Sequence, residues 1–371
     1  MRLDYFKAEN YRNIEKEEIR FAPGVNLILG ENAQGKTNAL EAIYTFARGK
    51  SFRGAKEGEL LRFGANGYRI EIGFFAEGRE KTLALAHTPK GKVREKNGFE
   101  VEKLTEMLGE FRAVLFCPEH LNMVKEGPDE RRQFLNVAIS QCYPVYLSLY
   151  NKYNHYLAQR NALLKLGQKG YLPDRMELEV YNEALAVLSG EMYVTRRNYV
   201  TRLAPVAAEM HGALSVGREK LKVGLISNLS PHGEAREYTK EEATELYRRL
   251  YSEAVEGDLQ TGTTRVGLHR DSLSFTVNGK SLREYGSQGQ QRTAVLALKM
   301  AEGAVCRQIV GEEPVYLFDD VLSELDEGRR RVLVDGTENK QFVITACDKS
   351  AYQGEANCIF AEGGRYVSSY R

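Results

Sequence analysis

The chain has 371 residues, of which 42% are hydrophobic and 28% charged, a composition typical of a globular protein and not of a disordered one. Its 52 Lys and Arg residues balance 51 Asp and Glu residues to a net charge of +1, so overall charge neither favours nor excludes a polyanionic partner. The five cysteines are scattered without a Cys-x-x-Cys pair, which argues against a zinc site and indicates reduced thiols in a cytosolic protein.

The N-terminal segment carries charged residues where a signal peptide needs an apolar stretch. No later run approaches the ~18 uncharged apolar residues of a membrane-spanning helix. A cytoplasmic location without a membrane partner is therefore expected. Domains usually hold roughly 100 to 200 residues, so a chain of this length favours two lobes.

The first third of the chain predicts strands. Val25–Leu29 is a short apolar run that ends at a glycine. Apolar residues at 68, 70, 72 and 74 alternate with other residues, as in a half-buried strand. Glu77 and Gly78 then offer a turn into a further strand at 82–85.

A phosphate-binding motif follows the strand predicted at Val25–Leu29. The pattern G-x-x-x-x-G-K-[ST] is matched by Gly30, Glu31, Asn32, Ala33, Gln34, Gly35, Lys36 and Thr37. An amphipathic helix is predicted directly after it, so the motif has its required context. The glycines let backbone N–H groups point at phosphate oxygens, and the helix N-terminus adds a favourable partial charge. Lys36 is expected to reach the β- and γ-phosphates of ATP, and the Thr37 hydroxyl to bind Mg²⁺.

The middle of the chain changes to helical periodicity after Pro118. Tyrosines and leucines recur at helical spacing between 146 and 157, and again between about 174 and 210, where Pro205 predicts a kink or break. Residues 167–173 are expected to connect these helices. The tyrosines could stack on nucleic-acid bases, but amphipathic core packing explains their spacing better.

Short strands return after residue 261. They are predicted at 273–277, followed by a hairpin-type Asn278–Gly279 turn, and at 315–318 and 342–345. The strand at 315–318 ends at Asp319 and Asp320, the pattern of a Walker B motif. The first carboxylate can hold Mg²⁺ and the second can polarise the attacking water. A solvated strand end explains such a pair equally well when it stands alone, but the P-loop strengthens the catalytic interpretation.

The P-loop and the acidic pair lie near opposite ends of the chain, yet both must flank one nucleotide. The predicted fold is therefore α/β, with a discontinuous P-loop head of mixed sheets and helices formed by residues 1–120 and 261–371. A mainly helical lobe is inserted at 121–260. Sustained heptads are absent from the sequence, which argues against a long coiled coil.

Further motifs resemble those of ABC-type ATPases, whose members close around ATP as head-to-tail dimers. The Ser-Gln-Gly-Gln-Gln run at 287–291 is similar to the signature motif of this class, although in isolation it also fits a loop and helix cap. The residues carried over as ATP contacts are Ser287, Gly289 and Gln290. Residues 323–326 resemble the D-loop, and Thr345 lies where the class has its switch residue, usually His.

Finer motifs resemble the RecF family across nearly the whole chain. They are Gly-Lys-Ser-Phe-Arg at 49–53, Phe-Cys-Pro-Glu-His-Leu at 116–121, Pro-Asp-Glu-Arg-Arg at 128–132 and Gly-Leu-His-Arg-Asp at 267–271. The segment 9–13 is similar to the first-strand turn of the DNA-maintenance branch that includes SMC proteins. Arg12 is then expected near the bound phosphates, or is a surface arginine in a turn. SMC proteins carry long coiled-coil arms at the insertion point, and this insert is too short for one.

The resemblance implies a weak, Mg²⁺-dependent ATPase that acts in recombinational repair, replication-fork maintenance and the SOS response. It implies an ATP-induced homodimer that clamps double-stranded DNA near single-strand gaps, associates with the nucleoid, and helps RecO and RecR load RecA. Slow ATP hydrolysis would release the DNA.

Two departures from the wider ABC pattern bear on this expectation. Asp320 stands where most ABC proteins have Glu, which predicts slow turnover because a shorter carboxylate lies farther from the attacking water. No Gln ends the strand at Phe116, which leaves Glu119 or His120 as candidates for the sensing position.

DNA contacts are the least specified part of the sequence. The basic groups are Arg131–Arg132, Arg196–Arg197, Arg248–Arg249 and Arg329–Arg331, and most such groups are solvated faces. Two other functions stay open: the nucleotide-binding subunit of a transporter, and a nucleotide-gated, non-catalytic scaffold for protein partners.

Overall fold

The computed structural model describes residues 1–168, 175–233, 236–322, 325, 328–330, 339–349, 352 and 354–368. The chain divides into two compact units, one formed by 1–120 with 296–371 and the other by 121–295. Among the described residues, no helix is both long enough and apolar enough to span a membrane.

The strands and helices are numbered in chain order. The strands are β1 Arg2–Tyr11, β2 Ile14–Arg20, β3 Val25–Leu29, β4 Tyr68–Ala76, β5 Arg79–Thr88, β6 Gly91–Lys96, β7 Phe99–Glu100, β8 Ala113–Phe116, β9 Leu221–Ile226, β10 Ser272–Val277, β11 Lys280–Ser281, β12 Val315–Phe318, β13 Gln341–Ala346, β14 Asn357–Glu362 and β15 Arg365–Ser368. The helices are α1 Lys36–Arg48, α2 Glu57–Leu60, α3 Asn122–Lys125, α4 Pro128–Cys142, α5 Pro144–Gln168, α6 Arg175–Leu214, α7 Lys240–Thr261, α8 Leu282–Tyr285 and α9 Gln288–Val310.

The first unit contains an antiparallel sheet in the order β2-β1-β4-β5-β6-β7. The alternation in the sequence of β4 matches its burial, because Tyr68, Ile70, Ile72 and Phe74 are all buried. The Glu77–Gly78 turn joins β4 to β5 in a hairpin with Ala76 opposite Arg79. The turn that follows β1 approaches the P-loop, since Asn13 Nδ2 donates to the carbonyl of Gln34 at 3.4 Å.

The second sheet of this unit has the order β15-β14-β3-β13-β12-β8. Its strands β8, β12, β13, β3 and β14 pair in parallel, and β15 pairs antiparallel to β14. Every residue of β3, β8, β12 and β13 is buried, as expected for parallel strands that are covered on both faces. The carboxyl ends of β3 and β12 flank that of β13, so the loops that follow these strands meet at one edge.

The second unit is built on α5, α6 and α7 with a small sheet in the order β11-β10-β9. The face predicted for α6 is largely confirmed, since Leu178, Leu185, Leu188 and Met192 are buried and Tyr181 is half-buried. The helix continues through Pro205, so of the kink or break predicted there, the break is wrong. Packing along the helix outweighs the one backbone hydrogen bond that a proline removes. The predicted loop at 167–173 begins inside α5, and its residues from 169 onward lie outside the described ranges.

The boundary between the units differs from the one expected at 260/261. Strand β10 pairs with β9 along its whole length, from Ser272 opposite Ile226 to Val277 opposite Leu221. This pairing joins 261–295 to the middle unit. Local periodicity could not reveal it, because strand partners that are distant in sequence leave no local pattern.

Buried polar side chains hold the second unit together. Arg196 donates to the carboxylate of Asp271 at 2.6 Å and to the carbonyl of Leu268 at 2.8 Å, and both charged side chains are buried. Burial raises the pKa of Asp271 to about 6, although Arg196 opposes the shift. Arg160 forms a second buried ion pair with Asp258 at 2.8 Å. The 267–271 motif therefore has an internal structural role in this unit.

Candidate nucleotide-binding site

The P-loop connects β3 to α1, and glycine is required at both of its ends. A Cβ at Gly30 would lie 2.3 Å from the carbonyl oxygen of Ala361 on β14, closer than side chains approach. Gly35 has φ +105°, a backbone conformation that L-residues with side chains rarely adopt. The first glycine allows close strand packing, and the second turns the chain into α1.

A C-terminal hairpin braces the P-loop. The backbone N–H groups of Gly363 and Gly364 donate to Gln34, to its side-chain oxygen at 2.6 Å and its carbonyl at 3.0 Å. The Tyr366 hydroxyl donates to the carbonyl of Gly35 at 2.9 Å. Sequence analysis missed this contact. The adjacent glycines between β14 and β15 are the signal that could have indicated the hairpin turn.

Lys36 is the first residue of α1, and its side chain is almost fully buried. Its Nζ donates to the carbonyls of Gly30 and Glu31, the latter at 2.9 Å. These bonds hold the ammonium group against the loop whose backbone N–H groups are suited to bind anions. Asn32 and Ala33, two further predicted nucleotide contacts, line the same cavity as Lys36.

The acidic strand end joins the P-loop through one carboxylate oxygen. Thr37 Oγ1 donates to Oδ1 of Asp319 at 2.9 Å, and Thr345 Oγ1 donates to the same oxygen at 2.8 Å. Thr345 Oγ1 also accepts from the backbone N–H of Asp320 at 2.9 Å. Asp320 has φ +52°, an uncommon conformation for a non-glycine residue that often marks functional sites. The ends of β12 and β13 thus meet the start of α1.

The charge state of Asp319 depends on its surroundings. Burial raises the pKa of Asp319, the nearby Glu119 and Asp320 carboxylates add to this, and the Thr37 and Thr345 hydroxyls oppose it. A divalent cation beside Asp319 would favour its ionised form.

The oxygen donors of Thr37 and Asp319 fit Mg²⁺, which is usually bound by one or two protein oxygens together with phosphate oxygens and water. Within the described part of the chain, no group of three or more His, Cys, Asp or Glu residues could hold a metal ion by itself. A nucleotide-dependent Mg²⁺ site agrees with this donor set.

Residues 31–37 of the P-loop, together with Asp319, Asp320 and Thr345, line one cavity of about 1110 Å³. The described residues that form its wall are Arg12, Asn13, Glu31, Asn32, Ala33, Gln34, Gly35, Lys36, Thr37, Asn38, Arg53, Glu59, Leu61, Arg62, Phe63, Pro118, Glu119, Asp319, Asp320 and Thr345. Glu119 therefore reaches the cavity wall, whereas His120 is not among these residues. Instead, His120 Nδ1 accepts from the backbone N–H of Cys117 at 3.3 Å, and burial lowers the pKa of His120 well below its usual range.

Arg12 is fixed at the cavity by a buried carboxylate on the P-loop helix. Its Nε and Nη2 donate to the two oxygens of Glu41 at 2.9 and 2.8 Å. Glu41 is fully buried and also accepts from the hydroxyl of Ser51. Arg12 therefore lies in a turn, as the alternative had it, and Glu41 holds its side chain at the cavity wall. Sequence analysis missed Glu41, because its position within α1 carries no motif.

Known proteins with similar sequences show the family of this chain. The family model described as RecF/RecN/SMC N terminal domain matches residues 2–361. The DNA replication and repair protein RecF of Limosilactobacillus fermentum is 40% identical over 352 residues, which cover 94% of this chain and 93% of the relative. The chain belongs to the RecF family. The corresponding protein of Geobacillus kaustophilus is 38% identical over 366 residues, covering 99% of this chain and 97% of that protein.

Solved structures agree with membership in the RecF family. A structure of the recombination mediator protein RecF with ATP, in the RecFOR pathway, matches with a TM-score of 0.90 at 34% identity, covering 99% of this chain and 97% of the other. An Smc head domain from Pyrococcus furiosus matches with a TM-score of 0.57 at 17% identity, covering 99% of this chain and 96% of the other, and so shares the fold. The predicted fold class, an α/β ABC-type head, is confirmed, and the described ranges contain no long coiled coil.

The run at 287–291, which resembles the ABC signature motif, lies in the second unit, whereas the described cavity wall belongs to the first. Ser287 Oγ accepts from the backbone N–H of Gln290 at 3.2 Å, and the side-chain oxygen of Gln290 accepts from the N–H of Ser287 at 2.9 Å. This reciprocal pair caps α9. Ser287 and Gln288 are exposed, and Gly289 is partly exposed. Of the predicted D-loop, Ser323, Glu324 and Asp326 lie outside the described residues.

Some basic residues suggested as DNA contacts of a RecF protein have internal roles instead. Arg131 donates to the carbonyls of Met123 and Leu273, both at 2.8 Å, and Arg196 is buried beside Asp271. The interpretation of these two as parts of a solvated basic face is wrong. A pair of arginines looks the same in the sequence whether it faces solvent or backbone carbonyls. Arg249 remains largely exposed, and Arg331 lies outside the described residues.

Proposed function

We propose that this chain is a weak, Mg²⁺-dependent ATPase that uses ATP to close a DNA-binding homodimer. The observation that carries the proposal is the shared hydrogen bonding of Thr37 and Thr345 to Asp319. It links the phosphate loop, the acidic strand and the switch position through a single oxygen. Such a connection supports phosphoryl transfer, which needs these parts around one nucleotide.

The predicted site residues on the cavity wall have separate roles in this mechanism. The P-loop N–H groups and Lys36 bind the β- and γ-phosphates, and Arg12, held by Glu41, adds a fixed positive charge. Thr37 and Asp319 would hold Mg²⁺, and the ion would supply positive charge beside the phosphates. Asp320 orients the attacking water and accepts its proton, while Thr345 fixes both aspartates. Glu119 is the candidate for the sensing position.

Closure requires a second copy of the chain. ATP bound by Lys36 and Thr37 would recruit Ser287 of the partner subunit to its γ-phosphate, together with the start of the helix that Ser287 caps. Exposure of Ser287 and Gln288 supports this contact, since both are accessible on the second unit. Loss of the γ-phosphate would remove the bridge, so nucleotide state would set the equilibrium between open and closed forms.

DNA is the proposed partner of the closed dimer. The relatives above are named DNA replication and repair proteins, and the solved relative is a recombination mediator of the RecFOR pathway. By this relationship the dimer clamps double-stranded DNA near single-strand gaps at the nucleoid and helps RecO and RecR load RecA. Hydrolysis then releases the DNA.

A second function, a nucleotide-gated scaffold without useful catalysis, is favoured by one observation. Asp320 has a shorter side chain than Glu and lies in the left-handed region. If its carboxylate does not reach the attacking water, ATP binding alone would control the partners.

ATP hydrolysis by three matched proteins separates the two functions. The unaltered chain should hydrolyse ATP with Mg²⁺ at the low end of the usual range of about 1 to 1,000 per second, or below it. Lys36→Arg and Asp319→Asn should both reduce the rate to background. Equal rates in all three proteins would contradict the proposed ATPase, and a rate at background in the unaltered chain would favour the scaffold.

A further inference from the structure

We propose that Phe63 is the stacking platform for the base of the nucleotide, so that this cavity recognises a planar aromatic ring beside the phosphates. The inference rests on the proposed nucleotide function of the P-loop and extends it to the far part of the ligand. The phosphate-binding residues explain only the polar end of the cavity.

Phe63 is the most unusual residue of the cavity wall. Its relative exposure is 103%, whereas phenylalanine side chains are usually buried. Among the described residues that line the cavity, Phe63 is the single aromatic one. A solvent-exposed aromatic ring on the wall of a concave, charged site is a signal for ligand contact, because burying that ring is favourable only when a partner covers it.

The backbone around Phe63 is fixed although its ring is free. Arg62 N–H donates to the carbonyl of Asn10 on β1 at 2.8 Å, and Ala65 N–H donates to the carbonyl of Arg62 at 2.9 Å. Gly64 has φ +83°, as required at the third position of a tight turn. Phe63 therefore stands at the second position of a turn anchored to β1. A ring with only two side-chain torsions on such a turn loses little entropy when a ligand stacks on it.

Different residues of the cavity wall suit the phosphates and the base of a nucleotide. Lys36 and Thr37 belong to the P-loop, while Phe63 belongs to the segment that follows α2. Arg62, beside Phe63, also lines the cavity, and a guanidinium near a stacked base can add a cation–π contribution. Stacking on one aromatic face accepts any base, since every base has a π-face. The site should thus bind ATP and GTP with similar affinity unless other groups read the base edge.

A tryptophan reporter tests the contact directly, because the natural chain contains no Trp. In Phe63→Trp, ATP and ADP should each change the fluorescence of the sole indole, while inorganic tripolyphosphate should leave it unchanged. Phe99→Trp is the matched control, since Phe99 is 77% exposed on β7 and does not line the cavity. Its fluorescence should not respond to any of the three. Measurements belong at concentrations where light scattering gives a monomer, so that dimer contacts cannot produce the signal.

The affinities of Phe63 and Lys36 variants for ATP and for tripolyphosphate provide a second test. Phe63→Ala should weaken ATP binding by roughly 10- to 100-fold and leave tripolyphosphate binding unchanged, while Phe63→Tyr keeps ATP affinity near that of the unaltered chain. Lys36→Ala should weaken the binding of both ATP and tripolyphosphate. Unchanged ATP affinity in Phe63→Ala together with loss in Lys36→Ala would overturn the stacking platform alone. Unchanged binding of both ligands in Lys36→Ala would overturn the nucleotide site itself. An equal fluorescence change with tripolyphosphate would also contradict stacking.

Discussion

Thr37 on α1 and Thr345 on β13 donate hydrogen bonds to the same oxygen, Oδ1 of Asp319, at 2.9 and 2.8 Å. Residues far apart in the sequence therefore converge on one buried carboxylate. Thr345 further binds the N–H of Asp320, so a single hydroxyl touches both members of the acidic pair. We therefore propose that Thr345 positions both aspartates for catalysis.

Thr345→Val should lower kcat for ATP about fivefold with little change in KM, because valine has a similar shape but removes a net hydrogen bond of roughly 1 kcal/mol to Asp319. Thr345→Ser keeps the hydroxyl and should restore most of the rate. Steady-state ATPase kinetics on the three proteins check this. Equal kcat in Thr345→Val and the unaltered chain would show that the hydroxyl does not position the aspartates.

Asp319 should be the residue that makes ATP binding depend on Mg²⁺. In the unaltered chain, chelation of Mg²⁺ by EDTA should abolish hydrolysis and weaken ATP binding, measured by calorimetry. In Asp319→Asn, ATP affinity should be nearly the same with and without Mg²⁺, because the amide is a weaker ligand for a hard cation. Asp320→Asn is the matched control and should keep the Mg²⁺ effect on binding while losing hydrolysis. A full Mg²⁺ effect on binding in Asp319→Asn would contradict the assigned ligand.

The signature contact predicts a separation of dimerisation from ATP binding. Ser287→Arg should abolish ATP-driven dimerisation, since a bulky side chain replaces a small exposed hydroxyl at the start of α9. The ATP affinity of the monomer should remain largely intact. Light scattering with and without ATP measures the first effect, and calorimetry the second. Glu100→Arg, an exposed change on β7, should dimerise normally. An unaltered ATP-dependent dimer in Ser287→Arg would refute the contact.

Stability should fall in mild acid because of His269. Burial lowers the pKa of His269 to about 4, with Arg270 and Arg132 adding to the shift and the Thr264 carbonyl and Asp258 opposing it. An unfolded histidine titrates near 6.5, so below that pH the unfolded state binds the additional proton. The stabilisation is present above about 6.5 and is lost as the pH falls through about 4, by up to roughly 3 kcal/mol.

Denaturant unfolding from pH 7 to pH 4 measures this effect. His269→Gln cannot titrate, so the difference in free energy of unfolding between it and the unaltered chain should shrink as the pH falls. His155→Gln is the control, because His155 is on the same α5–α7 unit without being buried. A pH-independent difference for His269→Gln would exclude this residue as the source.

The sequence predicts those parts of the site that are written in local patterns. Strand β3, the P-loop and α1 follow one another, and the apolar run of β12 leads directly to Asp319. Their chemistry could therefore be assigned before their positions were known. The order of the motifs also predicts that distant segments meet at one nucleotide.

Features that depend on tertiary register could not be predicted in this way. Gln34 is braced by Gly363 and Gly364 only because β14 pairs with β3, and Glu41 matters only because β1 brings Arg12 beside it. The boundary at 295 follows from the pairing of β10 with β9. The sequence does not distinguish the buried Arg196 from an exposed arginine such as Arg249, since burial of a charge is decided by partners that lie elsewhere in the chain.

ATP is proposed to control the binding of DNA by this protein, and titration with a labelled gapped duplex tests this most directly. The purified protein is titrated with the duplex in the presence of ATP, ADP or no nucleotide, at two salt concentrations. Binding that requires ATP and weakens steeply with salt is the predicted result, because phosphate contacts release counterions. ATP-driven dimerisation without any binding of the duplex would contradict the DNA clamp and favour the protein-partner scaffold.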